Sequence, residues 1–243
     1  MPFLAFLSIF DVYQLNFLVI YFFLCKSPYF WLVFYICHAY LDTYHWNQGV
    51  RMEICNIKKI TNCKHLNLFS IQYRDRVKTK KNWLFASRSD HPDPFHQNPG
   101  LPDAVVVVPY HKQEKKLVII REFRVALGGY QYGFPAGLVD KGESIVQAGK
   151  RELFEETGLH LTQVLKQSPS IYSSSGMTDE SISLLFVECE GRPSNEFNEP
   201  SEEIEVILLS REAAAELMEE PGLKFDVKSW IVVSIFANYG IIS

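Results

Sequence analysis

Three glutamates in one short stretch, Glu152, Glu155 and Glu156, are the residues best placed by type and spacing to do chemistry. On a helix, at roughly 100° per residue, they share about 100° of the circumference, with Val146, Gly149 and Leu153 looking the other way. One face is then anionic and the other belongs to the core. Like charges at i,i+3 and i,i+4 each cost about a few tenths of a kcal/mol, and acids in a last turn oppose the helix dipole. A divalent cation reverses the sign of the problem. Carboxylate oxygens are hard-cation ligands, and Mg²⁺ typically binds through one or two carboxylates, waters and phosphate oxygens. Without further context, a glutamate-rich face is simply solvated.

The context is the stretch Gly137 to Leu159, GLVDKGESIVQAGKRELFEETGL. Between Glu143 and Thr157 its composition favours a helix, and Gly158 stands where helices commonly stop in the left-handed conformation. The fixed positions are Gly137, five residues, Glu143, seven residues, Arg151-Glu152-Leu153, one residue, Glu155-Glu156, one residue, Gly158-Leu159. This resembles the Nudix box, G-x5-E-x7-R-E-U-x-E-E-x-G-U with U aliphatic, and every defined position matches. The resemblance implies an α/β fold, an α/β/α sandwich whose mixed sheet carries the box as a loop and helix. It also implies hydrolysis of a nucleoside diphosphate linked to another moiety, dependent on Mg²⁺, with Mn²⁺ as the alternative metal.

Taken from its start, the chain of 243 residues is long enough for one domain with a sizeable core and an appendage. A net charge of −4 argues against a general nucleic-acid binder. The five cysteines show no metal-ligand spacing, which favours a reduced, metal-free reading and a cytoplasmic protein. Residues 1–51 differ from all that follows. They hold nearly half of the aromatic residues and few charges, in two apolar runs separated by Lys26-Ser27-Pro28. Each run is shorter than the roughly 20 residues that span a bilayer, and a secretory signal is weakly supported. Three readings are expected for this extension: a membrane-associated hairpin or anchor, an extra apolar layer on the domain, or a mis-assigned start with translation beginning at Met52. The last is favoured, because a first strand follows Met52 at once. Membrane association enters only if residues 1–51 are genuine.

Residues 52–100 read as a small antiparallel β subdomain, with β-compatible runs at Glu53 to Ile60, Leu66 to Tyr73 and Trp83 to Ser87. The proline-rich loop from His91 to Pro102 marks the boundary with a catalytic domain at 101–243. There, Asp103 to Tyr110 is a continuous apolar run, as in a strand buried on both faces, and Leu117 to Phe123 pairs with it as a hairpin. Gly128 to Ala136 delivers the chain into the box. Further strands are expected at Val164 to Ser168, Ile182 to Cys189 and Glu203 to Leu209. A helix at Arg211 to Glu219 has Ser210 as N-cap, and a last helix at Val227 to Tyr239 runs from Asp226 to Gly240. The aliphatic and aromatic residues of that last helix are read as core.

Arg121 to Ser144, REFRVALGGYQYGFPAGLVDKGES, is similar to the ADP-ribose or nucleoside diphosphate sugar pyrophosphatase branch of the Nudix hydrolases. In that branch an arginine precedes a GGY-type turn and F-P-A-G enters the box. The resemblance covers Met52 to about Tyr239 and implies a homodimer. It assigns metal binding to Glu152 and Glu156, with Glu155 sharing that role and the carbonyl of Ala136, beside Gly137, as a further ligand. Arg151 orients the box glutamates, and Glu143 is as readily structural as catalytic. Arg124 matches the arginine that holds the substrate phosphates, and Arg88 is a second candidate anion contact. Trp83 and Phe85 are read either as stacking on a base or as core.

The loop Ser173 to Glu180 resembles the family's mobile catalytic loop, with Glu180 matching its acid and Asp179 the fallback. Many ADP-ribose pyrophosphatases carry a proline about fifteen residues beyond the box, where this chain has Ser174, so the reaction class is read more firmly than the substrate. Two rival readings are a non-catalytic Nudix module that binds a nucleotide or nucleotide sugar to regulate a partner, and a membrane-tethered protein working through its N-terminal segment.

Overall fold

The computed structural model describes residues 51–94 and 100–242. The hydrophobic N-terminal stretch, and the choice among its three readings, lies outside the described residues. Strands β1 (Glu53–Lys59), β2 (Asn67–Arg74) and β3 (Lys80–Ser87) form a separate antiparallel sheet in chain order. The described chain divides into two compact units. The smaller comprises 51–56 and 71–83, and the larger 57–70 and 84–242. Within the smaller, the turn from β2 to β3 is built on Asp75, whose Oδ1 accepts from the backbone N–H groups of Val77 at 3.0 Å and Thr79 at 2.8 Å. Such side-chain acceptance is how aspartate stabilises a tight turn.

The larger unit is organised on a mixed eight-stranded sheet with the order β11-β5-β4-β10-β8, and three short strands attached. Its strands are β4 (Ala104–His111), β5 (Lys116–Arg124), β6 (Gly129–Gly133), β7 (Ala136–Leu138), β8 (His160–Gln167), β9 (Ile171–Tyr172), β10 (Ser181–Glu190) and β11 (Ile204–Leu209). Its helices are α1 (Ile145–Thr157), α2 (Arg211–Glu219) and α3 (Val227–Tyr239). Strand alternation explains the layers. Val105 and Val107 of β4 join Ile145, Ala148 and Leu153 of α1 in one core, while Val106 and Val108 join Val232, Val233 and Phe236 of α3 in another. The sheet is thus covered by α1 on one face and by α2 and α3 on the other, the α/β/α sandwich expected.

β4 and β5 pair antiparallel only at Tyr110↔Leu117 and His111↔Lys116. Beyond that the sheet forks: β5 takes β6 as its partner, with Glu122 opposite Gln131, and β4 takes β7, with Val106 opposite Ala136. The sequence reading treated Gly128 to Ala136 as a connection; the structure makes it two strands that line the fork.

Two expectations about faces are corrected. Val146, placed on the core side of the box helix, is exposed at 37%, because Ile145, Ala148, Gly149 and Leu153 occupy the buried stripe. In α3 the buried stripe is Ser229, Val232, Val233 and Phe236, while Val227, Trp230, Ile231, Ile235 and Tyr239 are exposed. A helix laid on one side of a sheet buries only about one face, so its apolar residues cannot all be core. Among the described residues, no helix is long and apolar enough to cross a membrane.

Candidate functional site

The box helix is fixed at both ends and along its side. Ser144 Oγ accepts from the Gln147 N–H at 3.3 Å, and Gln147 Oε1 accepts from the Ser144 N–H at 2.8 Å, a reciprocal capping box. Gly158, at φ 70°, ends the helix in the left-handed region. Against the sheet, a Cβ on Gly149 would stand 2.5 Å from Leu185 Cδ2, so any larger residue there would have to displace the Leu185 side chain or move α1 away from β10.

That docking presses the acids against β7. The carboxylate of Glu152 lies where a Cβ on Gly137 would come within 2.0 Å of its Oε1. Glu156 Oε2 accepts from the backbone N–H of Ala136 at 3.3 Å. Both glutamates are buried, at 9% and 5% exposure, while the Glu155 side chain is about half exposed. Burial pushes the carboxyl of Glu156 well above the usual range, and the charges of Glu152, Glu122 and Glu202 push the same way. Glu152 is also raised by burial, against the pull of Arg151.

Arg151 spans the cluster. Its Nε and one terminal nitrogen donate to the two oxygens of Glu143, each at 3.0 Å, and that nitrogen also reaches the Leu138 carbonyl at 3.0 Å. The other nitrogen donates to Glu152 at 2.6 Å and Glu155 at 3.1 Å. The guanidinium fork can satisfy several carboxylates at once, which an ammonium cannot do with the same geometry. The hydrogen bonds from Arg151 and from the Asp140 N–H hold Glu143 below the usual carboxylate range.

Beside this cluster, in the fork of the sheet, lies a cavity of about 110 Å³ lined by Glu122, Arg124, Gln131, Ala136, Asp226 and Lys228 with apolar neighbours. Arg124 pairs with Glu122 at 2.8 Å and is half exposed. Burial raises the Glu122 carboxyl, with Arg124 opposing. A larger hollow of about 360 Å³, at Leu217, Met218, Leu223, Phe225 and Trp230, carries carboxylates at Glu220 and Asp226 but no lysine or arginine, so it offers an anion nothing.

Arg88, Asp179 and Glu180 form a second group with Ser87 and Ser173. Arg88 Nε donates to Glu180 Oε1 at 3.1 Å, Ser173 Oγ donates to Glu180 Oε2 at 3.1 Å, and Ser87 Oγ donates to Asp179 at 2.8 Å. Burial raises the Asp179 carboxyl. Phe85 is buried against Phe69, with ring centroids 5.6 Å apart, and Trp83 is half exposed. The structure therefore gathers Glu143, Arg151, Glu152, Glu155, Glu156, Ala136 and Gly137 in one cluster with Arg124 in the adjoining cavity. It joins Arg88 to Glu180 in another.

Sequence reasoning missed Glu122, Gln131 and Lys228, and read Asp226 only as a helix cap. Glu122 was accessible to it: in R-E-F-R, strand alternation puts Glu122 and Arg124 on one face. Nothing local to Lys228 points at the fork.

A family model for the NUDIX domain matches residues 100–230. The chain is 29% identical over 139 residues to the ADP-ribose pyrophosphatase of Saccharomyces cerevisiae, covering 56% of this chain and 58% of that protein. It is 33% identical over 92 residues to the ADP-sugar pyrophosphatase of Mus musculus, covering 37% and 42%. These matches span less than two thirds of each relative. The crystal structure of an ADP compounds hydrolase superposes with a TM-score of 0.58 at 19% identity, covering 79% of this chain and 97% of that one, a likeness of fold. With a capped glutamate helix pressed on a glycine strand beside a forked sheet, and over half its length matched by the domain model, the chain belongs to the Nudix family.

Proposed function

We propose that this chain hydrolyses the diphosphate of ADP-ribose or a related nucleoside diphosphate sugar, giving a nucleoside monophosphate and a sugar phosphate, with Mg²⁺ as cofactor. The observation that carries the reading is the pair of buried carboxylates, Glu152 and Glu156, held against Ala136–Gly137 next to a cavity that contains Arg124. The names of the yeast and mouse relatives support the substrate class. Domain limits of 52–100 and 101–243, and a homodimer, belong to the same proposal.

Nudix hydrolases generally use divalent metals. The residues present fit such an ion chemically: two desolvated carboxylates whose mutual repulsion a cation relieves, with Glu155 and the Ala136 carbonyl alongside. Among the described residues no three acids, histidines or cysteines converge tightly enough to hold a metal alone. Mg²⁺ typically takes one or two carboxylates and fills its shell with waters and substrate phosphate oxygens. When bound, the metal neutralises phosphate charge and acidifies the attacking water.

The chain's own residues do the rest. Arg124 grips the phosphates through its fork, and Arg151 holds the box glutamates in register through Glu143. Water attacks one phosphorus, the bridging oxygen leaves with the other phosphate, and Glu180, or Asp179 in its place, takes the proton. Arg88 contacts an anion by releasing Glu180. Phosphate-product analysis of the full chain with a panel of nucleoside diphosphate sugars tests this. Metal-dependent release of AMP and ribose 5-phosphate from ADP-ribose is expected. No turnover of any diphosphate by the folded chain in excess Mg²⁺ replaces the proposal with the binding-module reading.

A further inference from the structure

The cavity in the fork has a second basic side chain. Lys228, in the first turn of α3, lines it together with Arg124 of β5, although the two residues come from distant parts of the chain. Lys228 Nζ lies 3.2 Å from Asp226 Oδ1, and its side chain is 28% exposed. Asp226 is itself held in place. Its Oδ1 accepts from the N–H groups of Lys228 at 2.9 Å and Ser229 at 3.1 Å, and its Oδ2 accepts from Ser229 Oγ at 2.6 Å. Burial works to raise the Asp226 carboxyl, but the Ser229 hydroxyl and the Lys228 charge bring it below its usual range, so the acid stays ionised beside the lysine.

Local energetics do not ask for a lysine there. The first turn of a helix carries the positive end of the dipole, where a cation is disfavoured. Asp226 offsets that locally. The same pattern occurs across the cavity, where Arg124 is braced by Glu122. Two cations from different elements, each paired with a carboxylate that also lines the cavity, thus enclose a concavity of about 110 Å³ that adjoins the buried box glutamates through Ala136. A concave site with convergent cations suits an anion with charge on more than one side, as a diphosphate has.

We propose that Lys228 is a second substrate-binding cation of this site, gripping the diphosphate from the α3 side while Arg124 grips it from β5. This rests on the reading of the cavity as the diphosphate site. Lys228 supplies a flexible point charge and Arg124 a planar fork, so the pair tolerates variation in the moiety beyond the diphosphate better than two forks would.

The test is steady-state kinetics of the full chain and of K228A and K228R on ADP-ribose, with inorganic pyrophosphate as a competing anion and Tm recorded for each. Loss of a charge-assisted contact is expected to raise KM and the pyrophosphate inhibition constant roughly tenfold to a hundredfold, with kcat changing less. K228R should recover most of that, and Tm should move little. Should K228A fail to fold, K228M keeps the aliphatic stem and carries the same comparison. If the unaltered chain turns over ADP-ribose while K228A or K228M keeps its KM and pyrophosphate inhibition, the assignment of Lys228 is overturned and the proposed function stands. If the unaltered chain turns over no diphosphate, the functional reading fails and this inference falls with it.

Discussion

The carboxylate of Glu152 occupies the space that a side chain at Gly137 would need: a Cβ there would come within 2.0 Å of Oε1 and 2.1 Å of the carboxyl carbon. Gly137 is not in the left-handed region, so alanine is compatible with its backbone. G137A should therefore leave the fold intact and push Glu152 aside. On the proposed function Glu152 holds the metal, and misplacement of such a group by about 1 Å costs roughly a hundredfold in rate. The expected result is a fall in kcat of that order with a small change in Tm, read by ADP-ribose turnover and thermal denaturation of the same preparation.

Glu156 makes a prediction about stability as well as rate. E156Q should lower kcat by orders of magnitude, because a neutral amide is a poor ligand for a hard cation. In chelator, however, it should stabilise the chain, since burial and the charges of Glu152, Glu122 and Glu202 raise the native carboxyl well above its usual range. The sign is set by linkage. An acid raised in the native state binds more protons folded than unfolded, so its contribution is fully present below about pH 4.3 and is lost as pH rises through the native value. Tm of the unaltered chain minus that of E156Q, in chelator, should therefore fall with increasing pH. A flat difference across that range contradicts the argument.

Arg151 ties Glu143, Leu138, Glu152 and Glu155 together, so its loss should be felt in both structure and activity. R151A is expected to lower Tm by roughly 2–6 °C and to cut kcat by more than tenfold. R151K should recover part of the stability and little of the activity, because an ammonium cannot reproduce the two parallel hydrogen bonds to Glu143. Equal recovery of both would show that charge alone matters here.

Arg124 is half exposed and pairs with a partly buried acid, Glu122. On the proposed role of Arg124 as the phosphate fork, R124A should raise KM for ADP-ribose by about tenfold or more. It also removes the charge that holds the Glu122 carboxyl down, so that acid should titrate at higher pH than in the unaltered chain. Carbonyl infrared titration with labelled glutamate checks the second effect. A pure kcat defect at unchanged KM contradicts ground-state binding by Arg124.

Local chemistry left clear marks on the sequence. Ser210 and Asp226 were legible as caps because a short polar side chain before an apolar run has one main use, and the structure shows both accepting from the first-turn N–H groups. The box helix was legible because its spacing and its stop at Gly158 are periodic and local. The fork was not. β6 and β7 are short, glycine-containing and only partly buried, so their strand character comes from pairing to β5 and β4 and not from their own composition.

The burial of the box acids was hidden for a related reason. Read alone, Glu152 and Glu156 belong to a polar face, and only the close approach of α1 through Gly149, with β7 laid beside it, takes their carboxylates out of water. Lys228 shows the same limit, since its nearest partner in sequence, Asp226, explains it fully until Arg124 is seen across the cavity. The sequence by itself determined the elements, their caps and the acids available for chemistry, because propensity, periodicity and capping act over a few residues. Only the tertiary structure decided which acids are desolvated and which cations face them, because burial and charge proximity depend on segments brought together from far along the chain.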